Sequence, residues 1–376
     1  RLEKVSIEFC SDKRMLKKLD IYIIKKFLAT FFFVVLIFTM IAVVIDFSEK
    51  VEEFIDEDLG TKQVVSEYYI NFLLFINGML WPLFTLISVI FFTSRMAANS
   101  EIISMLNAGM SFRRLMVPYL LAGGAIASIH LFGNHIVIPM ANKEMFEFIH
   151  KYVEKEKDKG KTRDVHMFIS PNEKIYVRDY FKRDSLAKKF RWETFEGNEL
   201  KVFIKAEKAQ WKGLPNHWEL TDYEIRTFDN LKETFKIEKK EKLDTTINLL
   251  PSDFVRYDDT KNMIPTPQLK DFVEEERQRG IGNTKIYEIE LYRRTADPFT
   301  IFIVTIIGMA VASRKVRGGL GLNLALGVAL GAVYIFLSRF SITIATNQSL
   351  SPFVGVWLPN MLFGFIALIL IFRAQK

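Results

Sequence analysis

Cysteine is almost absent from this chain: Cys10 is the only one in 376 residues, so no internal disulfide can staple any part of it. Charge is missing from long stretches as well. Phe27 to Ile45 and Ile70 to Phe92 contain no charged side chain, and Leu115 to Ile138 has only His130 and His135. A glycine-rich phosphate loop is also lacking. Gly160-Lys161-Thr162 echoes the end of one, but Lys155 stands where its first glycine is needed and no apolar strand precedes it. Metal-ligand spacing and nucleophile–base pairs are not discernible either, and the two histidines fit buried polar packing better than a metal site. No catalytic residue is therefore expected. An A-x-A-type cleavage site does not follow the first apolar run, which reads as a retained segment and not as a signal peptide.

What is present is apolar surface in membrane-length blocks. Hydrophobic residues make up 49% of the chain, with 34 phenylalanines. Three runs come early, and three more follow late: Pro298 to Ala312, Leu320 to Ser338 and Phe353 to Phe372. About 20 apolar residues are needed to cross a hydrocarbon core of about 30 Å. The fourth run is shorter and needs helical turns from Tyr292 onward. Buried helices of a soluble protein would not supply six such runs together. The fold class expected is a membrane α-helical protein of six transmembrane helices with an inserted extracytoplasmic antiparallel β-jellyroll-like domain.

Loop charge gives an orientation. Lys17, Lys18, Lys25 and Lys26 precede the first run, Arg95, Arg113 and Arg114 lie in the second connection, Arg314, Lys315 and Arg317 in the fourth, and Arg373 and Lys376 at the end. The first connection is acidic, from Asp46 to Asp58. Cations on alternate connections place both termini in the cytoplasm and the inserted domain outside it. These flanks account for most of the net charge of +7, so nucleic acid is not an expected partner. The layout divides into a cytoplasmic segment over residues 1–22, helices 1–3 over 23–142, the β-domain with helical flanks over 143–290, and helices 4–6 over 291–376. Met15 looks like a natural start, with residues 1–14 upstream of it.

Between Val165 and Leu250 the period becomes two: Val165, Met167 and Ile169, then Ile175 and Val177, Val202, Ile204 and Ala206, Phe235 and Ile237, and Leu243, Ile247 and Leu249. Turn residues such as Pro171-Asn172 and Gly197-Asn198 separate them. Many short strands suggest a sandwich or open barrel, read either as a docking domain or as a groove for something apolar. Helical flanks are expected from Met140 to Glu156 and from Asp271 to Arg294, with Asp297-Pro298 opening the fourth membrane helix.

The segment from about residue 99 to 109 reads as a short cytoplasmic helix. Asn99 or Ser100 caps it, Glu101 suits its positive end, Ile102, Met105 and Leu106 share a face, and Gly109 ends it. Such a helix suits insertion into a partner's groove, and an interfacial connector is the alternative.

The stretch S-E-I-I-S-M-L-N-A-G-M-S, Ser100 to Ser111, resembles the coupling helix of the LptF/LptG permeases of the lipopolysaccharide export transporter. V-I-D-F-S-E-K at the end of the first run, I-V-I-P of Ile136 to Pro139, D-P-F of Asp297 to Phe299 and the three-plus-three layout extend the likeness over nearly all the chain. The segment leans towards LptG. The resemblance implies a permease subunit without cofactor of its own, ATP and Mg being bound by a partner. The implied partners are an LptB-like ATPase dimer, a second LptF/LptG-type permease, LptC-like and LptA-like β-jellyroll proteins, and lipopolysaccharide itself, in a bacterial inner membrane. Glu101 matches the coupling glutamate that pairs with a basic ATPase residue, while Ile102, Met105 and Leu106 would fill the ATPase groove and Gly109 would end the helix. Lys50 matches one of a basic cluster after the first helix. Lys143 and Arg339 are candidates for lipid phosphate by position. The chain departs from the family in placing Glu49 beside Lys50 and Val43 where a lysine is common, and a plain surface charge is the alternative for Lys50. Phe31, Val34, Val35, Phe38 and Leu330 are candidates for the lipid-cavity lining. Lipoprotein-releasing or MacB/FtsX-type permeases insert their exported domain after the first span, not the third. A non-transporting scaffold that displays a β-domain is the remaining alternative.

Overall fold

The computed structural model describes residues 17–153, 163–214, 216–229, 232–254, 259–278, 284–313, 319–347 and 350–374. Residues 1–14, the Gly160-Lys161-Thr162 echo, the cluster Arg314, Lys315 and Arg317, and Lys376 lie outside these residues. Among the described residues six helices are long and apolar enough to cross a membrane. They are α1 (Lys18–Asp56), α2 (Thr61–Ala98), α4 (Phe112–Val153), α7 (Thr284–Ala312), α8 (Gly319–Asn347) and α9 (Pro352–Ala374), with the short α3 (Glu101–Asn107) between α2 and α4.

The fourth run corrects one expectation. Asp297-Pro298 does not open a helix; α7 begins at Thr284 and passes straight through Pro298. Pro298 lacks the N–H that would bond to the Arg294 carbonyl, but ion pairs of Glu290 with Arg293 and Arg294 hold the turn before it. Asp297 therefore lies well inside a membrane helix.

α7 is the hub of the bundle. Its most apolar window is 61% buried, against 17% for α1 and for α8. Close approach requires a glycine there: a Cβ on Gly308 would meet Val89 of α2 at 3.0 Å, so the two backbones pack as small-residue interfaces in membranes do. α1 and α8 instead leave wide apolar faces outward, among them Phe33, Leu36 and Met40 on α1 and Val333, Phe336 and Phe340 on α8. The candidate cavity lining divides accordingly. Phe31 and Val34 are buried in the chain's own core and Val35 is packed partly against it, because that stripe of α1 faces α2 and α4. Phe38 is 40% exposed and stacks on Phe84, and Leu330 is partly buried between α2, α7 and α9.

The insert is antiparallel β, as its alternation implies. Strands β1 (Arg163–Ser170), β2 (Glu173–Phe181), β3 (Leu186–Glu196), β4 (Glu199–Gly213), β5 (His217–Asp229) and β6 (Lys232–Thr246) form one sheet in consecutive order. Among the described residues this is one continuous sheet, because each strand returns directly beside its predecessor. Gly197 takes φ +63° in the two-residue turn between β3 and β4, a conformation glycine adopts without a Cβ clash. One face carries ladders of apolar side chains, such as Val165, Val177, Phe190, Ala206 and Tyr223 on successive strands. Beyond β6 the chain folds back over this face. Ile247, Leu249 and Phe254 are buried, the Trp218 indole donates to the Leu249 carbonyl at 2.9 Å, and Asn248 Nδ2 donates to the Ile169 carbonyl at 3.1 Å.

Phe235 and Ile237 depart from the inward placement that their alternation with Leu243 implies. Leu243 pairs with Leu220 on the core face, but after the register shift beside Asp222 the pairs become Tyr223 with Glu238 and Ile225 with Lys236. Parity changes beside Asp222, where Leu220 and Tyr223 are both buried, so Ile237 and Phe235, opposite Glu224 and Arg226, fall on the other face from Leu243. Phe235 and Ile237 point outward, 65% and 53% exposed.

Candidate coupling helix and charged sites of the membrane domain

At the end of the bundle remote from the β-domain, α1, α3 and α4 are bolted together. Asp20, almost fully buried, receives the Arg114 guanidinium in a two-pronged pair, at 2.8 and 2.6 Å, and the Lys17 backbone N–H at 2.8 Å. Ser111 caps α4 by accepting from Arg114 N at 3.3 Å. Arg114→Met would leave the Asp20 carboxylate buried beside an apolar side chain. Because Arg114 is itself partly exposed, a cost of about 2–4 kcal/mol is expected, at or below the range for breaking a buried pair. Thermal unfolding of the purified chain in detergent checks it, and an unchanged transition would contradict the clamp.

α3 begins after a reversal at Ser100, whose φ of +63° is left-handed, and its carbonyl accepts from Ser104 N. Its side chain does not cap the helix. Glu101 points back to α1. It accepts from the Tyr22 hydroxyl at 3.0 Å and from Lys26 Nζ at 3.5 Å, while Lys26 also donates to Tyr22 and Asn99 Nδ2 reaches Glu101 at 3.4 Å. Gly109 takes φ +88° with open space around it, so backbone conformation and not crowding calls for glycine there.

The apolar face differs from the sequence expectation at one residue. Ile102 is fully buried in a cluster with Ile23, Phe27, Met96, Phe112 and Leu115, and Met105 packs partly against it. A helix this short must anchor itself, and it does so with Ile102. The apolar residues it turns outward are Ile103 and Leu106, 39% and 37% exposed.

The three candidate phosphate cations sit in unlike settings. Lys50 is tied inside the chain: it pairs with Asp46, donates to the Tyr68 hydroxyl at 2.6 Å and lies over the Tyr68 and Phe72 rings. Tyr68 in turn donates to Asp46 at 3.0 Å. Lys143 is exposed, with Glu147 one turn on at 3.9 Å. Arg339 is exposed, its guanidinium 3.9 Å from Met79 Sδ, and lines a cavity of ≈ 420 Å³.

That cavity contains the functional-looking residues that sequence reasoning passed over. Glu290 holds Arg293 at 2.8 Å and Arg294 at 3.1 Å. Arg294 also donates to the carbonyls of Ile264 and Lys261 and to the Thr266 hydroxyl, tying α7 to the segment returning from the β-domain, α5 (Thr260–Met263) and α6 (Thr266–Gln278). His135 accepts or donates at Thr266 from α4, at 3.0 Å. A signal was available: Glu290, Arg293, Arg294 and Asp297 stand at i, i+3, i+4 and i+7, directly before an apolar run. Among the described residues no group of His, Cys, Asp and Glu is arranged to hold a metal ion.

No curated protein matches the chain. The family model described as lipopolysaccharide export system permease LptF/LptG matches residues 21–373, from the first turn of α1 to the last of α9. With its layout of three membrane helices, a β-domain and three more, this chain belongs to the LptF/LptG family of lipopolysaccharide export permeases.

Proposed function

We propose that this chain is one permease of an ATP-driven exporter that extracts lipopolysaccharide from a bacterial inner membrane and hands it to a β-bridge outside. Two such permeases pair, and the outward apolar faces of α1 and α8 are the surfaces suited to line the lipid path between them. Both termini are cytoplasmic, and the β-domain is periplasmic, on the argument from basic connections. An LptB-like ATPase dimer supplies the ATP and Mg chemistry, and LptC-like and LptA-like proteins continue the β-surface. The chain itself is a transporter subunit and not an enzyme.

The observation that carries this reading is the geometry of α3. Ile102 and Glu101 fix the helix to α1 and to the core, while Ile103 and Leu106, with half-buried Met105 beside them, offer the apolar contacts for an ATPase groove, and Gly109 turns the chain away. A rigidly held helix transmits displacement; a loose connector does not. The clamp of Asp20 on Arg114 then carries movement of α3 to both α1 and α4. Lys143 remains the exposed candidate for the cargo's phosphate, whereas Lys50 is engaged with Asp46 and Tyr68.

The test is copurification of the native chain, followed by identification of bound protein and lipid. A nucleotide-binding ATPase and lipopolysaccharide are expected in the same complex. A complex without any ATPase would overturn the reading in favour of a membrane scaffold.

A further inference from the structure

The cavity of ≈ 420 Å³ lies between α2, α4, α7 and α8 at the β-domain end of the bundle. A second chamber of ≈ 150 Å³ adjoins it and shares Met79, Arg293, Asp297, Arg339 and Ile342. The two differ in character. The first gathers the charged and amide side chains among apolar ones such as Phe75, Ile138 and Phe146, and the second is walled mainly by Leu80, Leu83, Leu86, Val304 and Ile335.

Ionic groups within membrane-spanning helices are costly unless they are paired. Glu290 is paired twice. Asp297 and Arg339 both face the shared space, yet among the described residues neither forms a direct ion pair. Asn142, 6% exposed, adds an orphan acceptor to the first chamber: its Nδ2 donates to the Asn262 carbonyl at 3.1 Å, while its Oδ1 has no partner. Arg293 uses Nε and Nη2 on Glu290 and keeps donors to spare.

We propose that the paired chambers bind one zwitterionic phospholipid of the ethanolamine class. Its phosphate lies between Arg339 and Arg293, its ammonium against Asp297 and Asn142 Oδ1, and an acyl chain enters the apolar chamber. A simple anion would satisfy Arg339 but be repelled by Asp297, and a simple cation would leave Arg339 unmatched. A soluble zwitterion would make no use of the apolar chamber. The larger cavity falls within the span of about 300–1,000 Å³ usual for small-ligand sites. Arg339 and Asp297 in one space suit a zwitterion better than an anionic head, so the site holds a resident lipid, not the cargo.

The full-length chain, purified with whatever partners it retains, is reconstituted in nanodiscs of equal phosphatidylethanolamine and phosphatidylglycerol, and retained lipid is counted by native mass spectrometry. One phosphatidylethanolamine per chain is expected, favoured over phosphatidylglycerol by about tenfold, since a hydrogen bond to a charged group is worth that or more. Asp297→Asn should abolish the preference while phosphatidylglycerol stays bound, and Arg339→Gln should reduce both lipids. The ratio is read within one sample, so partial misfolding lowers both lipids together and cannot imitate loss of preference. No retained phospholipid, no preference, or a preference untouched by Asp297→Asn would overturn the proposal. Displacement by added lipopolysaccharide would overturn it too, by assigning the site to the cargo. Loss of lipopolysaccharide release with phosphatidylethanolamine still bound would count against the transport reading alone.

Discussion

Glu101→Lys should reduce ATP-driven lipid release by a reconstituted complex by tenfold or more, because removing one partner of a close interfacial charge pair costs about 2–5 kcal/mol and each 1.4 kcal/mol is tenfold. The substitution also sets a second cation against Lys26, 3.5 Å from the Glu101 carboxylate in the native chain. Stability should barely change, since partly exposed pairs contribute about 0–1 kcal/mol. The fold is held instead by Ile102 and by the Asp20–Arg114 clamp. A charge swap separates two roles for this glutamate. Lys26→Glu with Glu101→Lys rebuilds the pair within the chain but presents the wrong sign to an ATPase. Continued loss of release in the swapped protein supports docking; recovery would mean that Glu101 acts only by holding α3 on α1.

Trp218→Ala should unfold the β-domain at moderate temperature while the membrane helices persist. Trp218 is fully buried, stands edge-on to Phe254 at 6.5 Å and donates to the Leu249 carbonyl at 2.9 Å. Truncating a buried tryptophan costs about 3–5 kcal/mol, and the abandoned carbonyl adds about 1–3 kcal/mol. Each kcal/mol moves the midpoint of a domain this size by about 4–8 °C, so a fall of about 15 °C or more is expected. Near-ultraviolet circular dichroism of the whole chain in detergent reads it. Phe235→Ser is the control: its side chain faces outward, and a change within about 0.5 kcal/mol is expected. Equal effects of the two substitutions would refute the assigned faces of the sheet.

The site was legible where its signal is local. The helix start at Glu101 and its end at Gly109 are read from residue type and spacing, because helix ends and left-handed turns depend on a few neighbouring residues. Ile102 was legible as apolar but not as inward. Over α3 the inward side is set by α1, α2 and α4, which lie far away in sequence. Lys50 shows the same limit. Its charge and position suggested a phosphate ligand, but the side chain is claimed by Asp46 one turn before and by Tyr68 of the next helix. Asp297 was misplaced because Asp-Pro is a sound helix start locally. Only the Glu290–Arg293–Arg294 pairs and the packing of α7 against its neighbours carry the helix through Pro298.

Determined by the sequence alone were the six membrane helices, the β-character of the insert and a short helix between α2 and α4, since hydrophobic length and periodicity are properties of consecutive residues. Tertiary structure alone decided which faces turn inward, where β6 changes parity, and which charges are paired. Those depend on partners brought together from distant parts of the chain. The charged cavity shows this most directly: Arg339 and Asp297 are 42 residues apart in sequence, and only the packing of α8 on α7 and α2 makes them walls of one space.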